Sequence, residues 1–216
     1  MQKAGGTIGQ LAQERRNKAW QRFGTAGVLV LVSIILSPRL GPLGILVVLG
    51  VGVYSWHLIV EGCKFWKMAD RAEQGAKGEE IVGLLLKELE QAGWKIQYNL
   101  PIPRLGDADV FLSSPKDNHF VVDVKSHSGE VFFENGVLKK RFGNTVYSFE
   151  KDFLAKVMQQ ALTVKTIKGL KFVTPILCFT EARLDIGTVN NKARGVYVMK
   201  KEALVKRLVW LDSRSS

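Results

Sequence analysis

Between Gly24 and Val60 the sequence holds one formal charge, Arg39, and this constrains the fold more than any other feature. A run so apolar needs either a hydrocarbon environment or a large core to cover it. Arg39 lies inside Ser37-Pro38-Arg39-Leu40-Gly41-Pro42, where two prolines and a glycine predict a turn, so the run divides into two arms. The second arm, Leu43 to Val60, has 18 residues and as a helix spans about 27 Å, close to the ~30 Å hydrocarbon core of a bilayer. The first, Gly24 to Ser37, reaches only about 21 Å. A span there must recruit Trp20 to Phe23 with Arg22 snorkelling, thin the bilayer, or re-enter.

The flanks predict the topology. Arg15, Arg16, Lys18 and Arg22 precede the first arm, and Lys64, Lys67 and Arg71 follow the second, so the positive-inside rule places both ends in the cytoplasm. Two spans joined by a short external turn satisfy this; a single span would leave one basic cluster outside. A cleaved signal peptide fits less well, because no A-x-A site follows the first arm and a second apolar run does. Trp20, Phe23, Trp56, Phe65 and Trp66 are placed for interfacial aromatic belts. The expected organisation is a basic cytoplasmic segment over 1–23, a transmembrane hairpin over 24–60, a juxtamembrane linker over 61–74 and a cytoplasmic domain over 75–216. His57 reads as an interfacial imidazole and Cys63 as a juxtamembrane thiol.

The composition of the whole chain narrows the partners. The net charge of +11 and pI near 9.7 favour a polyanion, either nucleic acid or an anionic membrane face. Two cysteines, Cys63 and Cys178, are too few for a disulfide framework or for a zinc site of the usual ligand spacing. They suit a reducing compartment, with Cys178 a packed core thiol.

After charged residues 69–77, the spacing of Ile81, Val82, Leu84, Leu85, Leu86 and Leu89 predicts an amphipathic helix over 78–92. Strands are predicted at 94–102, 109–112 and 119–125, the third apolar enough for burial on both faces. Asn135-Gly136 between apolar runs 129–133 and 137–142 predicts a type I′ hairpin. A helix capped by Ser148 then runs to Lys168, with Phe153, Val157, Ala161, Val164 and Ile167 on one side and Gly169 ending it. Strands at 172–179 and 195–199 and a helix over 201–211 complete an α/β layer fold.

Acidic residues at element edges stand out: Glu79 and Glu80 on the first domain helix, Asp107 and Asp109 ahead of the second strand, and Asp123 within the third. Glu80 and Asp107 singly read as solvated edge charges. Asp123 and Lys125, two apart, share one face of a strand whose other face holds Val122 and Val124. Pairing of the second and third strands brings Asp109 towards Asp123. Carboxylates so placed repel one another unless a cation sits among them, and oxygen ligands favour Mg²⁺ or Mn²⁺ over zinc. With a lysine beside them, they suit phosphodiester hydrolysis.

Three runs in order, GAKGEE (75–80), GDADVF (106–111) and VVDVKSHSG (121–129), resemble the nuclease-related domain, NERD, of the PD-(D/E)xK nuclease superfamily. The similarity covers most of residues 75–200. It implies a restriction-endonuclease-like core, a central mixed sheet flanked by helices, and divalent-metal-dependent cleavage of DNA. By motif, Glu79, Asp109 and Asp123 take the metal-binding acid positions and Lys125 that of the catalytic lysine. Gln160, with Gln159 as the alternative register, takes the glutamine position. The sequence departs from the family in carrying Asp123 where glutamate is common, and His127 where an aromatic residue is frequent. The expected function is a membrane-anchored Mg²⁺- or Mn²⁺-dependent nuclease, with a catalytically silent nucleic-acid-binding module held at the membrane as the alternative.

Overall fold

Both apolar arms fold as helices in the computed structural model, which describes residues 6–214. These residues divide into two compact units, one ending at Ala76 and the other starting at Lys77. In the first, α1 (Gly6–Leu36) is followed by a 3₁₀ turn at Ser37–Leu40 and by α2 (Pro42–Gln91), which continues into the second unit. The 31 residues of α1 remove the shortfall expected for the first arm, because the basic segment before Gly24 is helical too. Residues 1–5 of that segment lie outside those described.

The linker expected at 61–74 is helix throughout. Small residues explain why: Ala12, Ala19, Ala26 and Ser33 repeat every seven positions on α1, as do Ser55, Gly62 and Ala69 on α2, and all are buried. Such seams let two helix backbones approach closely. The arms run antiparallel, since Ser55 Oγ donates to the Ala26 carbonyl at 3.5 Å and Arg16 pairs with Glu73 at 2.7 Å and Asp70 at 3.2 Å. Arg22 pairs with Glu61, and Trp66 packs against Trp20 and Phe23. The charges read as a linker are thus the polar flank of a helical hairpin. Its other surface is apolar: only 11% and 17% of the most apolar windows of the two helices are buried, and Leu31, Ile35, Leu46 and Val53 project outward. Both helices are long and apolar enough to cross a membrane.

The second unit holds ten strands: β1 (Lys95–Ile102), β2 (Gly106–Ser113), β3 (His119–Lys125), β4 (Glu130–Glu134), β5 (Val137–Phe142), β6 (Thr145–Ser148), β7 (Thr174–Phe179), β8 (Arg183–Asp185), β9 (Lys192–Ala193) and β10 (Val196–Lys200). Helices α3 (Phe153–Lys168) and α4 (Lys201–Arg214) accompany them. The main sheet has the order β1-β2-β3-β7-β10-β9; β1, β2 and β3 pair antiparallel, while β3, β7 and β10 are parallel. Leu154, Val157, Ala161 and Val164 of α3 cover one face. The other is covered by Val82, Leu86 and Leu89 of α2 with Leu204, Leu208 and Leu211 of α4. The α/β fold with a mixed sheet between helices is therefore present, and β3 is buried on both faces. Cys178 is a core thiol whose pKa burial pushes up to about 12.

Several local expectations are corrected. A second sheet, β6-β5-β4-β8, was not foreseen beyond the β4–β5 hairpin, whose Asn135 and Gly136 both have positive φ. All four residues of β6 are exposed, so no burial alternation marks it, and β8 has only three residues. Ser148 therefore ends a strand instead of capping α3. The cap is Asp152, whose side chain accepts from the Ala155 N–H at 3.0 Å. Ile167, expected on the buried side of α3, is 59% exposed near its end.

Close approach of α2 to the end of β3 depends on Gly78, where a Cβ would stand 1.9 Å from Ser126 Oγ. Alanine normally stabilises a helix interior by about 1 kcal/mol over glycine. Gly78→Ala is expected to do the reverse, destabilising by about 1–3 kcal/mol through overpacking. Thermal melts of Gly78→Ala, Ser126→Ala and the double variant should show Ser126→Ala restoring most of the loss.

Candidate active site

The regular pairing of β2 with β3 reaches Val110 opposite Val122 and then stops. Beyond it the Asp109 side chain replaces the ladder, its Oδ2 accepting the Val124 N–H at 2.6 Å. Asp109 lies inside β2, which starts at Gly106 instead of at the acid as expected. On β3, side chains alternate: Phe120, Val122 and Val124 join the α2/α4 core, while Val121 belongs to the α3 core. Asp123 and Lys125 follow Val121 on the α3 side.

Asp123 is fully buried. A buried carboxylate is costly unless paired and hydrogen-bonded. Two lysines meet this need: Lys156 Nζ donates to Asp123 Oδ1 at 3.0 Å, and Lys125 Nζ forms an ion pair with Oδ2. Lys125 also donates to the Val124 carbonyl at 3.2 Å. Lys156 went unremarked in the sequence, although it stands one helical turn before Gln160 and so on the same face of α3. That spacing was its only signal.

Gln160 is the buried glutamine and Gln159 is exposed. Gln160 Nε2 donates to the Asp107 carbonyl at 3.0 Å, while its buried Oε1 has no partner among the described residues. Glu79, on α2, is 6% exposed; Glu80 and the Asp107 side chain are exposed, as solvated edge charges would be.

The electrostatics follow from this crowding. Burial first, then the charges of Asp123 and Glu79, push the Asp109 carboxyl up to about 8 against the opposing pull of Lys125 and the Val124 N–H. Part of Asp109 reaches the surface, but its carboxyl group is enclosed. For Lys125, burial favours the neutral amine. The surrounding Asp123, Asp109 and Glu79 outweigh that effect and hold it above the usual lysine value, so it is a cation at neutral pH.

In donor type this set fits a hard cation: all three acids offer oxygen, and one of them is pushed towards protonation by burial and by the neighbouring carboxylates. Its spacing is not that of a preformed site. Among the described residues, no three Asp, Glu, His or Cys side chains are grouped to hold one ion.

His127 packs against Phe149 and Phe153, with ring centroids 5.1 and 5.5 Å away. Burial, then Lys140 and Lys125, lower its pKa and favour the neutral imidazole, removing the charge a phosphate contact would use. His119 is stacked on Phe111, and its Nδ1 lies 3.0 Å from Ser113 Oγ.

A carboxyl with a pKa near 8 in the fold and near 3.9 in the unfolded chain keeps its proton only when folded across that interval. Its contribution to stability therefore falls as pH rises from about 4 to 8 and levels off above. Melting the metal-free chain across this range should show a shallower decline for Asp109→Asn than for wild type. Parallel profiles would rule out Asp109 as the source.

Comparison with known proteins gives one match. Residues 74–180 match the model of the nuclease-related domain family, spanning Glu79, Asp109, Asp123, Lys125, Lys156 and Gln160. No curated protein and no solved structure matches the chain. Residues 74–180, whose geometry gathers Asp109, Asp123 and Lys125 at one end of the central sheet, are thus a nuclease-related domain.

Proposed function

We propose that this chain is a membrane-anchored nuclease that hydrolyses DNA phosphodiester bonds with Mg²⁺ or Mn²⁺, its domain facing the cytoplasm. One observation carries the reading: a buried Asp123 engaged by two lysines beside an Asp109 whose pKa is raised, inside a nuclease-related domain.

Asp109, Asp123 and Glu79 are the residues that would hold the ion, with Lys156 released from Asp123 as it binds. The bound ion would supply positive charge for activating water and for offsetting charge that develops on the phosphate. Lys125, cationic and fixed by Asp123, is suited to bind a non-bridging phosphate oxygen and to stabilise its growing charge. Lys156, still 35% exposed, can neutralise a neighbouring phosphate. Gln160 Oε1, buried and without a partner among the described residues, can accept a hydrogen bond from the attacking water and orient it. The anchor reading rests on the exposed apolar flanks of the hairpin, which bulk water would leave at high cost, and on the basic residues at both its ends.

The grouping of the acids favours one alternative, a silent nucleic-acid-binding module, because Asp123 is satisfied by lysines as it stands and no three-ligand cluster is formed. The two readings separate on the full chain in detergent. Wild type should nick DNA with Mg²⁺ or Mn²⁺, and Lys125→Ala should lose at least about 10²-fold in rate while still melting cooperatively, at a lowered temperature because buried Asp123 loses one partner. Calorimetric titration should find metal binding in wild type and not in Asp123→Ala. Salt-sensitive DNA binding with no metal uptake and no cleavage would establish the silent module.

A further inference from the structure

The nuclease reading leaves the small sheet without a task. The two faces of its β5–β6 edge differ in charge. Residues opposed in register share a face. On one face Arg141 pairs with Glu130 at 3.0 Å and Lys139 with Glu134 at 2.7 Å, so the charges cancel. Lys140 and Tyr147, opposed across β5 and β6, share the other face with Phe142. There, among the described residues, no carboxylate pairs with Lys140.

This second face is connected to the acid–lysine centre by an unbroken series of ring contacts. Lys125 Nζ lies 5.3 Å from the Phe153 ring centroid, and Phe153 lies 4.9 Å from Phe149. Lys140 Nζ then bridges Phe149 at 5.6 Å and Tyr147 at 5.9 Å, and Tyr147 meets Phe142 edge-on at 6.4 Å. The inner members of the series are half-buried, whereas Phe142 and Tyr147 are 45% and 46% exposed. Phe142 is held in place by Gly129, where a Cβ would stand 3.0 Å from its ring.

We propose that the Lys140, Phe142 and Tyr147 face of the small sheet is a stacking track for single-stranded nucleic acid, which it leads towards Lys125. The inference rests on the nuclease reading for its destination. Exposed rings beside a lysine with no carboxylate partner are what a single strand needs: each base offers a π-face, and the cation takes a phosphate. A duplex offers no free base to stack, so it gains only the phosphate contacts. The exposed rings of Phe142 and Tyr147 select this occupant over an acidic protein segment, which would satisfy Lys140 but leave both rings with nothing planar to cover them.

The test is fluorescence anisotropy on the full chain in detergent with EDTA present, so that cleavage does not interfere. Probes are labelled 20-mers of dT and of U and a hairpin duplex. Single strands should bind more tightly than the duplex. Tyr147→Ala and Phe142→Ala should each weaken single-strand binding roughly 5- to 100-fold, leave duplex binding unchanged, and retain the melting transition. Tyr147→Phe, which keeps the ring, should bind as wild type. Lys140→Ala should lower the salt slope for single strands by about 0.7. Comparing dT with U decides whether the strand is DNA or RNA, since stacking serves both.

Equal affinity for duplex and single strand, or unchanged single-strand binding in both alanine variants, overturns the track. So does loss of a dimer in those variants without a change in oligonucleotide affinity, which would make the face a self-association surface. Ring-dependent strand binding in a chain that never cleaves DNA would remove the nuclease reading and keep the track. Cleavage lost in Lys125→Ala beside ring-independent binding would do the reverse.

Discussion

The interaction on which the domain turns is the pairing of a fully buried carboxylate, Asp123, with Lys125 and Lys156. An ionised group at the centre of a two-sided sheet is tolerable only if each oxygen is engaged, because removing one partner of such a pair strands the other in low dielectric. This requirement ties β3 to α3 across the sheet. It fixes the rotation of α3 about its axis, which in turn places Gln160 one turn along. Around the same point, Asp109 closes the gap where β2 leaves β3 by capping the Val124 N–H. The charged centre and the end of the antiparallel ladder are therefore one structural feature, and its acids and bases cannot be moved without altering strand pairing.

A different constraint organises the N-terminal unit. Small residues at seven-residue intervals on α1 and α2 let the backbones approach, leaving bulky apolar side chains to project outward. A soluble helical pair places its large side chains in the seam and its small or polar ones outside; this hairpin is inverted, and both its helices are long and apolar enough to cross a membrane. The ion pairs of Arg16 and Arg22 with acids on α2 carry the same packing through the charged ends of the arms.

Much of the main sheet was legible in the sequence. Residues 119–125 of the main sheet and 137–142 of the small one fold as strands with the expected bounds, because a valine-rich run in the first and an Asn-Gly turn before the second carry local information. Gly169 ends α3 in a left-handed conformation for the same reason. What escaped notice lacked a local pattern. β6 is exposed throughout, β8 is held by pairing with β4, and 61–74 looks like a linker to any method that reads charge but not the spacing of small residues. His119 carried no cue to its stacking on Phe111, because that contact crosses from one strand to the next.

By itself, the sequence determined two apolar helices around a Pro/Gly turn, a basic α/β domain, and an acid and a lysine two apart on one face of a buried strand. Period and composition are local properties, and each of these follows from one of them. Only the tertiary structure decided which of two adjacent glutamines faces inward, that Lys156 shares Asp123 with Lys125, and that Asp109 is pushed towards protonation. It also decided that a ladder of rings leads from Lys125 to two exposed rings, Phe142 and Tyr147, at the edge of the small sheet. These depend on distances between residues far apart in the chain and on how much water the fold excludes from between them, and neither quantity is written in the neighbourhood of any one residue.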